Sequence, residues 1–179
     1  MDNHNVTYNA KKSMCMVFNR YRDLCDEFND RIPVTLNGSR MMWVNCVKHL
    51  GNYIRFDLSE CEEIRHKKAD FVWRVNGLLM TYRDAHPKVK MYLLSSHCCH
   101  LYGSQAWALK DRNIEFIATA WNRGVRRIWS LPFQAHRKLL CGLNDGCHIW
   151  DCVYKRICGA YETMVTSQNE KLVFLMKIC

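Results

Sequence analysis

Three arginines stand at helical spacing in the second half of the chain: Arg123, Arg126 and Arg127. They fall off the stripe of Ile114, Ile117, Trp121, Val125 and Ile128, so one face of that segment packs and the other is cationic. Such a face can lie along a phosphate backbone and release counterions, or it can simply be solvated. Arg137 and Lys138 extend the positive surface. Four tryptophans, Trp107, Trp121, Trp129 and Trp150, are large enough to stack on bases. Their helical spacing assigns them to the core instead.

Metal chemistry is the next candidate. Cys141, Cys147, His148, Cys152 and Cys158 are separated, cysteine to cysteine, by five, four and five residues. Structural zinc prefers a knuckle of two to four residues plus a second ligand pair. Cys98-Cys99-His100 also lacks a partner pair at that spacing. The reading is therefore no metal, with these cysteines as small apolar residues on helices.

The elements that must carry these residues follow from pattern and composition. The chain has 179 residues, 49% of them apolar and 24% charged, which supports a packed core. The net charge is +9, which favours a polyanionic partner. The chain has 11 cysteines, opens without the apolar run of a signal peptide, and contains no stretch of about 18 apolar residues. The expectation is an intracellular chain in cytoplasm or nucleus, with free thiols and no membrane partner.

The first third reads as β structure. Met14 to Phe18 is an apolar run of strand type, and Arg20 to Arg31 is polar and reads as a loop or a frayed helix. Asn37-Gly38 between two apolar runs predicts a hairpin. Val47 to Phe56 predicts a strand pair or a bent strand, with Gly51 marking a bulge or close approach. From Ser59 the pattern turns helical. Ser59 is the expected N-cap, with Glu60, Glu62 and Glu63 in the first turn and a helix to about Arg83. Pro87 opens a second helix to about Leu101, and Gly103 breaks it. Further helices are expected over 114–129, stopped by Pro132, then over 134–143, 149–164 and 170–178. The fold class is α+β, mostly α: a small antiparallel β subdomain over 1–58, then a helical bundle over 59–179.

Several blocks, in order, resemble one family. Asn9, Lys12 and Ser13 ahead of the apolar run at Met14 look like the motif that follows the catalytic aspartates of non-LTR retrotransposon reverse transcriptases. Leu50 and Gly51 look like the family's primer-grip turn. Leu101-Tyr102-Gly103 with Trp107, and the segment Trp121 to Pro132 with His136 and Leu140 after it, resemble the helical region downstream. Arg156 and Ser167-Gln168-Asn169 fit as well. The resemblance implies a palm tail followed by a thumb and further helices.

It also implies roles. Lys12 would approach the incoming triphosphate in a whole enzyme, as a point charge or proton donor; standing alone it reads as a solvated lysine. His49 and Gly51 would prop the primer strand, or else form an ordinary meander turn. The family's catalytic Asp-Asp motif would lie upstream of Met1, and no Asp-Asp pair occurs in the chain. The parent enzyme would use magnesium held between such carboxylates. The expectation is no polymerase activity and no cofactor in this chain, with a primer–template duplex of RNA and DNA as partner. Self-association through apolar surface left bare by missing neighbours is expected too. The alternatives are a helical protein-interaction module retained by a host, or an element relic without function.

Overall fold

Asn37 and Gly38 adopt φ of 50° and 76°, the two left-handed residues that close a two-residue hairpin. The hairpin joins β2 (Val34–Leu36) to β3 (Ser39–Trp43), with Leu36 facing Ser39 across the turn. In the computed structural model, which describes residues 8–19, 21–107, 111–143 and 148–167, contacts divide the chain into two units, Met1–Glu63 and Ile64–Cys179. The architecture is α+β and mostly helical. Cys147, Gln168-Asn169 and the helix expected over 170–178 lie outside the described residues.

In the first unit, β3 is the centre of a three-stranded sheet. β1 (Met14–Cys15) runs parallel to it, with Met14 opposite Met42, and β2 runs antiparallel on the other side. The sheet is thus mixed, where the sequence pattern points to an antiparallel one. Strand alternation marks which faces are buried but carries nothing about the direction of a distant partner. The polar stretch after Tyr21 contains α1 (Cys25–Arg31), which caps the sheet through Trp43. Asn29 accepts from the Trp43 N–H and donates to its carbonyl, each at 3.0 Å. The Cys25 thiol donates to the same carbonyl, and the Trp43 indole N–H donates to the Ile32 carbonyl at 2.8 Å. Phe28 meets the Trp43 ring edge-on at 5.2 Å. Polar residues hold this helix by hydrogen bonds, so it has no apolar stripe to betray it.

β4 (Cys46–His49) and β5 (Asn52–Arg55) form a second antiparallel hairpin. Its turn is Leu50-Gly51, at φ of 48° and 85°. Gly51 therefore closes a tight turn rather than marking a bulge, and Leu50 takes the left-handed conformation that a branched side chain rarely adopts. The Tyr53 N–H donates at 2.7 Å to the buried Glu63 carboxylate. Among the described residues, no apolar side chain of this unit is fully buried.

The second unit carries the core. α2 (Cys61–Thr81) begins two residues after Ser59, whose N–H is instead tied into a turn by Asp57. α3 (Pro87–Leu93) continues into a π-helical turn, Leu94–Cys98. The Ser95 and Ser96 hydroxyls donate back to the carbonyls of Met91 and Tyr92 there, a substitution that loosens the ordinary helical ladder. Gly103, at φ of 91°, turns the chain toward α4 (Asp111–Ile128). α5 (Arg137–Leu143) and α6 (Ile149–Val165) follow. Phe71, Val75 and Leu78 of α2 pack in one buried cluster with Ile117, Trp121, Val125 and Ile128 of α4, Ile149 and Val153 of α6, and Trp107. Phe71 stacks on Trp121 with ring centroids 5.9 Å apart. Trp129 and Trp150 are half-buried against the same cluster, so all four tryptophans singled out in the sequence serve packing.

α4 ends before Pro132 is reached. Ser130 takes φ of 51°, its N–H donates to the Arg127 carbonyl, and the Leu131 N–H reaches back to the Arg126 carbonyl at 2.8 Å. This is a Schellman termination with serine where glycine is usual.

Candidate nucleic-acid interface

Gly124 and Val125 alternate on α4 with Arg123, Arg126 and Arg127 because the helix has two faces. Gly124 turns toward α2, where a Cβ at its position would sit 3.5 Å from Val75 Cγ1. With no side chain at Gly124 to fill it, a groove of about 300 Å3 remains between the two helices. Its floor is Phe71 and Val75; its polar rim is Lys68 and Asn76 on α2, and Thr119, Arg123 and Arg127 on α4. Three of these residues are cationic and none of the residues lining the groove is acidic.

Each cation is held differently. Arg127 donates from Nη1 to the Asn76 Oδ1 at 2.5 Å, which draws its guanidinium across the groove mouth. Arg123 is exposed, and among the described residues it has no hydrogen-bond or ion-pair partner. The Lys68 ammonium sits 3.3 Å from the centre of the Phe116 ring, and burial holds its pKa below the ordinary lysine value. The ring face offsets part of that desolvation by attracting the charge.

Of the other sequence candidates, Arg126 is turned away from this groove into the loop that follows α4. Its Nη2 and Nε donate to the Ala135 carbonyl at 2.9 and 3.3 Å, and its guanidinium lies over Phe133. Arg137 is ion-paired with Glu115 at 3.2 Å, on an exposed surface. Lys138 is exposed in the first turn of α5. Lys12 lies exposed at the end of a short 3-10 turn, Ala10–Lys12, capped by Asn9. His49 is exposed opposite Asn52 at the β4–β5 turn, beside Gly51. The structure thus brings Arg123 and Arg127 together and separates them in role from Arg126, which positions a loop. Sequence reasoning missed Lys68 and Asn76; they stand eight residues apart, about two helical turns, with Val72 midway, so all three fall on one flank of Phe71 and Val75, and that spacing was the available signal.

His148 is the N-cap of α6: its Nδ1 accepts from the Trp150 N–H at 3.4 Å, while its own N–H donates to Asp151 at 2.6 Å. Burial, together with the nearby Arg137 charge, holds the His148 imidazole below its ordinary pKa. Burial likewise raises the Cys98 thiol. Among the described residues no three His, Cys, Asp or Glu side chains are grouped to hold a metal, and no helix is long and apolar enough to cross a membrane. No family description, curated protein or solved structure matches the chain.

Proposed function

We propose that the chain is the palm-tail and thumb portion of a non-LTR retrotransposon reverse transcriptase, and that its own activity is to hold a primer–template duplex without polymerising. The ordered motifs from Asn9 to Pro132 support the family reading. The groove between α2 and α4 carries the binding reading: three cations on a rim without a carboxylate, with Arg127 pre-oriented by Asn76. Phosphates are the ligand such a rim fits, because they spread negative charge over oxygens that guanidinium groups bind in pairs. Contacts of this kind position a backbone and read no sequence. In the family that the chain resembles, magnesium held between aspartates would supply the polymerisation chemistry, and the sequence contains no Asp-Asp pair to hold it.

The test is a titration of the purified chain against a labelled RNA–DNA hybrid and against each of its single strands. The hybrid is expected to bind more tightly, with little dependence on sequence and no primer extension in magnesium or manganese. Equal or weaker binding of the hybrid, or template-dependent incorporation, overturns the reading.

A further inference from the structure

Beside the cationic groove lies a shallow hollow of about 450 Å3 that shares Lys68, Val72 and Asn76 with it and is completed by Arg65, Ala69, Trp73 and Phe116. Lys68, Val72 and Asn76 thus border both. None of the residues lining the hollow is acidic. Trp73 lines it and is 72% exposed. It stands two residues from both Phe71 and Val75, which at 100° per residue places it on the far side of α2 from the core. Most of this indole is therefore bare, in a hollow that Lys68 also lines.

We propose that Trp73 is a stacking platform for an unpaired nucleobase whose flanking phosphates lie on Lys68, Arg123 and Arg127. The inference rests on the nucleic-acid reading above and names the form of nucleic acid it takes. The charge on the rim selects a polyanion, and the indole beside it selects a polyanion with flat aromatic groups. Inside a duplex each base face is covered by its neighbours, whereas an unpaired base in an extension offers a face to Trp73 without the end of the helix having to reach it. The preferred ligand is therefore a hybrid with a single-stranded extension, the form a primer–template has at its growing end. Phe116, holding the Lys68 ammonium over its ring, keeps that cation at the boundary between hollow and groove.

The experiment compares the full chain's affinity for a short RNA–DNA hybrid, blunt or carrying an unpaired template extension. The extension is expected to tighten binding about tenfold, the effect of one or two stacked bases. The ratio of the two affinities should fall to about one in Trp73→Leu and survive largely intact in Trp73→Phe, with unchanged circular dichroism. A second reading needs no variant: 2-aminopurine placed in the extension should lose fluorescence on binding. A wild-type ratio near one, a ratio that Trp73→Leu leaves in place, or an unquenched 2-aminopurine overturns the stacking role while duplex binding stands. Failure to bind either hybrid overturns the nucleic-acid reading, and the stacking role with it.

Discussion

Arg127 of α4 donates from its guanidinium to the Asn76 side chain of α2, at 2.5 Å, across the mouth of a groove whose rim carries no carboxylate. The bond ties two helices and fixes one cation. Asn76→Ala should leave the fold nearly as stable, because the bond is at an exposed site and is worth about 1 kcal/mol or less there. It frees the Arg127 side chain, which must then be ordered on binding at a cost of about 0.5–1.5 kcal/mol. Hybrid affinity should fall about threefold. Unchanged affinity in Asn76→Ala would show that the orientation of Arg127 is irrelevant to binding.

Arg126 provides the internal contrast. Its donors go to the Ala135 carbonyl and its plane lies over Phe133. Arg126→Gln should lower stability to urea by about 1 kcal/mol while the salt dependence of hybrid binding stays as in the wild type. A drop in salt slope with no loss of stability would make Arg126 a phosphate contact instead.

The His148 cap has a pH signature. Its folded-state pKa is depressed, chiefly by burial. The unfolded state therefore binds the proton more readily, so this contribution to stability is present above the unfolded value and fades as pH falls through it. The loss should begin below about 6.5, the unperturbed value for histidine. Protonation also removes the Nδ1 acceptor from the Trp150 N–H. Urea midpoints taken from pH 7.5 down to 5 should decline in the wild type and decline less in His148→Asn, which keeps a capping acceptor. Parallel curves for the two proteins would remove His148 from this role.

Ser130 occupies a left-handed position that favours glycine. Ser130→Gly should stabilise the chain by about 0.5–1 kcal/mol in thermal or urea unfolding, the strain at φ above zero outweighing the added freedom of the unfolded chain. A destabilised variant would mean that the serine side chain contributes more than its backbone conformation costs.

The first unit should associate with itself. Met14 and Phe18 are exposed, β1 is an edge strand, and no apolar side chain among the described residues there is fully buried. Sedimentation is expected to show larger species as concentration rises. A monomer across the accessible range would indicate that these strands need no neighbour.

How legible all this was depended on locality. Asn37-Gly38 announced its hairpin because both residues accept positive φ, and the α4 stripe announced its buried face by period alone. Pro87 marked the start of α3 for a similar local reason. α1 left no apolar trace, being pinned by Asn29 and Cys25 to the Trp43 backbone. The parallel pairing of β1 with β3 depends on residues far apart in sequence. In the candidate site, Arg123 and Arg127 were visible as a cationic face, and Arg126 looked equivalent to them. Only the fold of the following loop, which brings the Ala135 carbonyl to it, distinguishes its role. Trp73 was readable in principle: it lies out of phase with Phe71, Val75 and Leu78, which assigns it to the surface.

The central claim is that Arg123 and Arg127 contact phosphates, and the salt dependence of binding tests it most directly. Each duplex phosphate contact contributes about 0.9 to the slope of log affinity against log salt. Replacing both by glutamine should therefore lower the slope for an RNA–DNA hybrid by about 1.8, with helix content preserved because the buried face of α4 is untouched. A double variant that keeps the wild-type affinity and slope would mean that this face of α4 is merely solvated, and the account would be wrong.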